Sequence, residues 1–210
     1  MGAVSGTLTY KLFFVRDELP PKWKSAFVKR IEQNRFEELT PDDEDEESMG
    51  WVVLDRPLQT DFDLHSFLYN HFINLSLRQD RYVIPSALLN AHLAEATRTY
   101  LRENDKKKLS KFEKEDLKEM VKRELKEKQL PRMRILDMSW DIRSGRVRFW
   151  SHSNKMCELF QGLFHDTFGL KLFPANPYIN AVESGLSAEE VEVLQQVEPS
   201  NFVGNGGPGA

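Results

Sequence analysis

The sequence predicts an α+β protein in which two sheet-and-helix parts, β-α-β-β and β-β-α-β, flank a long helical hairpin. Three observations carry that expectation. Runs rich in β-branched and aromatic residues, such as "TLTYKLFFV", "MGWVVL" and "ILDMSW", lie before residue 86 and after residue 132. Between them, two stretches with apolar residues at helical spacing follow each other directly. Two S-x-x-E capping boxes, Ser110 with Glu113 and Ser187 with Glu190, mark helix starts. At 210 residues and 40% hydrophobic composition, the chain can bury a substantial core.

Thr7–Val15 reads as the first strand. Pro20-Pro21 opens a helix whose Trp23, Phe27 and Ile31 recur every four residues, with Lys22, Lys29 and Arg30 off that stripe. "PDDEDEE" (Pro41–Glu47) places six acids in seven residues and reads as a solvated loop. Met49–Leu54 is a second strand, and His71–Pro85 gives a strand, a turn near Gln79-Asp80 and a short continuation. The first helix of the hairpin covers Ser86–Arg102 and aligns Leu89, Leu93, Ala96 and Tyr100. The second aligns Leu117, Met120, Val121 and Leu125 and stops at Pro131. Ser144-Gly145 suits a two-residue turn within a strand pair over Ile135–Ser151. Asn154–Phe168 is a helix with Met156, Leu159, Phe160, Leu163 and Phe164 on its apolar side and Gly169 as its C-cap. "LKLFPANP" is a last strand, and a short helix precedes the Gly-rich "VGNGGPGA", expected to be disordered. The expected divisions are 1–85, 86–132, 133–183 and 184–210.

Charge is unevenly placed. The chain nets −4, yet residues 106–132 hold eleven Lys/Arg against six acids. Lys111, Lys118, Lys122 and Lys126 fall in one arc of the second hairpin helix, opposite Leu117, Met120 and Val121. Glu115 and Glu119 share that arc, so the helix reads either as a phosphate ridge or as a solvated, self-neutralised face. Lys106, Lys107 and Lys108 have no interleaved acid and make the better phosphate contact. In the strand pair, a turn at Ser144-Gly145 sets Arg143 opposite Arg146, Asp141 opposite Arg148 and Ser139 opposite Trp150. Alternation then buries Met138, Trp140, Ile142, Val147 and Phe149, and shows Arg143, Arg146, Arg148, Trp150 and His152 on the other face. Like charges directly opposite destabilise a sheet, so the arginines call for an anion or for solvent. A basic face with an exposed tryptophan could bind nucleic acid or an acidic partner.

Catalytic patterns are poor. His65, His71, His92, His152 and His165 show no metal-ligand spacing, and the single cysteine, Cys157, reads as a small core residue. No G-x-S-x-G, P-loop or dinucleotide fingerprint is present. Asp61 and Asp63 are a remote nuclease-type metal pair. The expectation is a non-enzyme without cofactor or metal. One cysteine, no signal-peptide pattern in Met1–Gly6 and no long apolar run point to a cytoplasmic protein with no membrane partner.

Five strings sharpen this reading: "MGWV" (Met49–Val52), "VIPSALL" (Val83–Leu89), "EKEDLKEMV" (Glu113–Val121), "LPR" (Leu130–Arg132) and "WDIRSG" (Trp140–Gly145). In this order and spacing they resemble the bacterial recombination-associated RdgC family, from about Thr7 to about Pro177. The resemblance implies a nucleoid-associated, largely sequence-independent duplex-DNA-binding protein, a ring-shaped homodimer that restrains the RecA-type recombinase. On their charge and placement, Lys106, Lys107, Lys108, Arg143, Arg146 and Arg148 are first candidates for DNA, and Lys111, Lys118 and Lys122 second. The resemblance also implies a subunit contact around Leu130, Pro131, Arg132 and Arg134, with Arg134 standing where relatives carry an aromatic. The similarity covers the family's N-terminal two thirds. The family's last third, which supplies DNA contacts and one subunit interface, has no counterpart in the sequence. Weaker binding, an altered oligomer, or a protein-interaction module without DNA binding are the resulting expectations.

Overall fold

The computed structural model describes residues 2–3, 9–43 and 45–196. The Gly-rich tail and the first residues of the expected Thr7–Val15 strand lie outside them. β1 (Lys11–Phe14) is followed by α1 (Trp23–Gln33), β2 (Glu47–Val53), a single-turn α2 (Leu64–Phe67), β3 (Leu68–Tyr69) and β4 (Phe72–Arg81). The hairpin is α3 (Ser86–Glu103) and α4 (Lys111–Glu127). Then come β5 (Arg132–Asp141), β6 (Arg146–Phe149), α5 (Asn154–Phe168), β7 (Phe173–Pro174), α6 (Pro177–Glu183) and α7 (Ala188–Gln195). The α+β class is as the sequence predicts. Short elements such as α2, β3 and α6 carry too few residues to show a period.

All seven strands form one antiparallel sheet, ordered β2-β4-β5-β6-β1-β7 with β3 also on β4. The pairing of β4 with β5, in register from Phe72–Asp141 to Arg81–Arg132, merges the strands of the two sheet-bearing parts. The helical hairpin is therefore a long insertion between two paired neighbours. No turn interrupts β4 at Gln79-Asp80: Ser48 and Glu47 of β2 pair with Asp80 and Arg81, and β5 pairs on the other side. A polar dipeptide that would end an isolated strand is carried through by ladders on both edges. Asp80 is also satisfied, because the buried Arg78 guanidinium donates to both its oxygens and to Pro57 O.

The core lies between one sheet face and helices α1 and α5. Phe27 and Ile31 of α1 and Phe160 and Phe164 of α5 are fully buried against Trp51, Leu75, Met138 and Phe149. Phe149 and Phe160 stack with centroids 4.0 Å apart, and Phe27, Trp140, Phe164 and Phe168 meet at tilted or edge geometries. Inside this layer Trp51 Nε1 donates to Thr167 Oγ1 at 2.8 Å, tying β2 to α5. Gly50 has a steric reason to be glycine: a Cβ there would lie 2.4 Å from the backbone nitrogen of Phe36, whose N–H bonds to Trp51 O. α5 begins at the Ser153 cap and ends on Gly169 at φ 70°, as its sequence dictates.

The hairpin is built differently. Ser110 and Glu113 form the expected capping box, and Leu117, Val121 and Leu125 are buried. Met120, expected on that stripe, is 47% exposed, while Lys126, expected among the solvent-facing lysines, is 6% exposed. α4 is rotated toward the acidic loop: Lys126 Nζ donates to Asp43 O at 2.9 Å and sits over the Tyr82 ring. Leu89, Leu93, Ala96 and Tyr100 of α3 are only half-buried, and no α3 residue is fully buried.

Candidate nucleic-acid interface

The cationic residues singled out in the sequence divide between the two ends of β5. At the end where β5 turns into β6, the turn has four residues, Ile142–Gly145. Asp141 pairs with Arg146 and Ser139 with Arg148, two residues away from the predicted register. The shift keeps the faces: Met138, Trp140, Val147 and Phe149 are buried, Arg143 and Arg146 exposed. It removes the like-charge pair, because Arg143 has left the ladder and Arg146 stands across from an acid. Trp150 is 7% exposed, not open to solvent, and packs against Tyr10 at 5.6 Å. A base-stacking role for it is thereby excluded. Arg148 lies half-buried over the same Tyr10 ring.

This turn is held from three sides. Val15 N–H donates to Gly145 O and Ile142 N–H to His71 O. Asp141 accepts from Ser144 Oγ at 2.7 Å and from the Arg143 and Ser144 amides. Burial raises the Asp141 pKa, but the Ser144 hydroxyl and the two amides outweigh it, and the carboxyl stays below its ordinary value. Gly145 sits at φ 68°, and a Cβ there would meet Val15 O at 2.3 Å, so glycine is required twice over. The consequence is electrostatic. Asp141 is committed to the turn backbone, and the Arg143 and Arg146 guanidiniums have no carboxylate partner among the described residues.

At the other end, β5 lies beside the hairpin and the acidic loop. Ten residues of strand at about 3.3 Å each separate the two ends by about 30 Å. Here half of the six predicted lysines are already paired. Lys106, read as free of acids, bonds to Glu113, which also accepts from Tyr100 and the Ser110 amide. Glu113 is held down at about 2, first by Lys106 and then by Ser110. Lys118 pairs with Glu115, and Lys122 with Glu119 and Glu46. The Glu46 carboxylate, Arg123–Asp42 at 2.6 Å and Lys126–Asp43 anchor the acidic loop on α4. That loop is docked on the α4 face that carries Lys122, Arg123 and Lys126. Lys107, Lys108 and Lys111 stay exposed and form no ion pair among the described residues.

A further basic group was not visible in the sequence. Arg81 pairs across the ladder with Arg132, and Arg134 follows on the same strand face, all three exposed. Arg81 is far from the other two in the chain, so only the β4–β5 register brings it beside them. Leu130, just before them, is 92% exposed and Pro131 is half-buried.

The model of the family described as "Putative exonuclease, RdgC" matches residues 11–184. The chain belongs to the RdgC family. No curated protein matches it. RdgC membership points to a recombination-associated role and to association with DNA. The description also contains the word exonuclease. Among the described residues, no group of three or more His, Cys, Asp or Glu side chains is gathered so as to hold a metal ion. Asp63 caps α2, accepting from the Ser66 amide at 2.7 Å, and Asp61 lies beside it with Glu32 and His65 around a cavity of about 460 Å³. Among the described residues, no helix is long and apolar enough to cross a membrane. Cys157 is buried, and burial pushes its thiol pKa up, the opposite of an activated nucleophile.

Proposed function

We propose that this RdgC-family chain is a non-catalytic, largely sequence-independent duplex-DNA-binding protein of the nucleoid, which restrains a RecA-type recombinase by occupying its DNA. The observation that carries this is the rigid β5–β6 turn, which presents Arg143 and Arg146 without a carboxylate partner in a chain of net charge −4. On a pre-ordered turn no backbone has to be ordered when the two guanidiniums meet phosphates, and phosphate contacts position a protein without reading sequence. Arg148 supports them from the same strand, and Lys107, Lys108 and Lys111 form a second contact at the hairpin tip. Lys106, Lys118 and Lys122 contribute less, since DNA must displace their carboxylates. A homodimer contact through the exposed Leu130 with Pro131, Arg132 and Arg134 accompanies this reading.

Fluorescence anisotropy with a labelled mixed-sequence duplex across a salt series tests it. Binding should weaken steeply with salt, at a slope of about 0.9 per phosphate neutralised. No binding at low salt removes the proposal and leaves the rival, a protein-interaction module. The docked acidic loop favours that rival, because it already fills part of the cationic face. A cleavage assay with magnesium or manganese addresses the exonuclease description. Metal-dependent loss of DNA that is abolished by Asp61→Asn with Asp63→Asn would overturn the non-catalytic assignment.

A further inference from the structure

A feature not used above lies between α3 and α4, where a cavity of about 540 Å³ opens to the surface. Its floor is apolar, made by Ala96 of α3 and Leu117, Met120 and Val121 of α4. Met120 is nearly half exposed there, an unusual position for a methionine on an amphipathic helix. The rim is predominantly acidic: Glu95, Glu103, Glu113, Asp116 and Glu124 line it with His92, Thr99 and Tyr100, and no lysine or arginine does. Two of these carboxylates are partly answered, Glu113 by Lys106 and Glu95 by Arg98 at 3.1 Å. Glu103, Asp116 and Glu124 form no ion pair among the described residues. From His92 to Glu103 the groove follows α3 for about 17 Å, roughly three helical turns.

We propose that this groove receives a basic amphipathic helix of a protein partner. An apolar floor between two helices takes the i, i+3, i+4, i+7 stripe of a third, and three unanswered carboxylates at the rim select lysine or arginine on its flanks. Other occupants fit less well. DNA meets like charge here. A second copy docked groove to groove would bring two acidic rims together, since a two-fold interface repeats the same patch on both sides. The inference is independent of the DNA-binding surface, which uses the opposite end of β5 and the hairpin tip. It gives the hairpin a role in recruiting a protein to the DNA-bound chain.

The test is anisotropy of the full chain with two labelled helical peptides of about four turns. Both carry leucines at i, i+3, i+4 and i+7; one has lysines at its remaining positions and the other glutamates. The lysine peptide should bind, and the glutamate peptide at least about tenfold more weakly. Met120→Asp, and separately Glu103→Lys with Asp116→Lys and Glu124→Lys, should each lower lysine-peptide affinity by about tenfold. All four side chains are exposed, so the variants should fold, which circular dichroism checks. Absent binding overturns the proposal, as does equal binding of the two peptides, which would mean apolar adhesion alone. Unchanged affinity in both variants overturns it too, placing the peptide elsewhere on the chain. Sedimentation of Met120→Asp closes the remaining route: conversion of a dimer to a monomer would assign the groove to a second copy.

Discussion

In the sheet layer Trp51, Phe160 and Phe164 have no solvent exposure, whereas no residue of α3 is fully buried. The sheet is held by interlocked aromatic rings and by ladders on both sides of β4. The hairpin is held by one apolar seam, a capping box and exposed ion pairs, which solvent and salt weaken. The contrast teaches where each job can sit. A turn clamped to the sheet carries its exposed arginines on a fixed backbone, while the loosely buried helix pair leaves apolar surface open. Local stability follows apolar burial, so the hairpin is expected to open well below the global unfolding free energy.

The largest expected effect breaks the comparison on its stable side. Phe160→Ala should cost about 3–5 kcal/mol in chemical denaturation, because the cavity opens among rigid rings. Leu93→Ala, in half-buried surroundings on α3, should cost less than half as much; equal losses would show that the hairpin is as well packed as the sheet.

Gly145→Ala should cost about 1–3 kcal/mol, from a side chain at positive φ and a clash with Val15 O. It should also lower DNA affinity without touching a cation, and an unchanged affinity would separate turn rigidity from binding. Arg143→Ala with Arg146→Ala should reduce the salt slope of duplex binding by about 1.8, at 0.9 per lost contact, with no sequence preference.

The hairpin junction should respond to acid. Glu113 is depressed from 4.5 to about 2, so its contribution is fully present above pH 4.5 and is lost as pH falls toward 2. Protection factors at the α3–α4 junction, taken relative to intrinsic exchange at each pH, should fall across that window while sheet amides stay protected. Glu113→Gln should show the lower protection already at neutral pH. The smallest effect belongs to the acidic loop. Asp42→Asn with Glu46→Gln should raise DNA affinity by about twofold to threefold by removing one of the two carboxylates on each of Lys122 and Arg123, each pair being a weak surface interaction.

Much of this was legible in the chain. The capping boxes at Ser110 and Ser187, the Asn154–Phe168 helix with its Gly169 cap, and the buried alternation through Met138, Trp140, Val147 and Phe149 are local signals, and local signals survive folding. The cationic residues of the candidate interface could likewise be named from charge alone. What one strand or helix does to another could not. The continuity of β4 through Gln79-Asp80 needs ladders from both neighbours, and the exposure of Met120 needs the acidic loop to turn α4 by its lysines.

The sequence by itself determined the longer helices, the apolar stripes of α1 and α5, and that positive charge collects at residues 106–132 and 143–148. Periodicity and capping act over a few residues, so they are written in the chain directly. Only the tertiary structure decided which charges remain available. A lysine is free or silenced according to carboxylates brought from elsewhere: Glu46 to Lys122, Asp42 to Arg123, and Asp141 to the turn backbone instead of to Arg143 or Arg146. Those encounters span up to about 80 residues of chain, and ion pairing depends on distance in space, which falls off over a few ångströms and leaves no periodic trace in sequence.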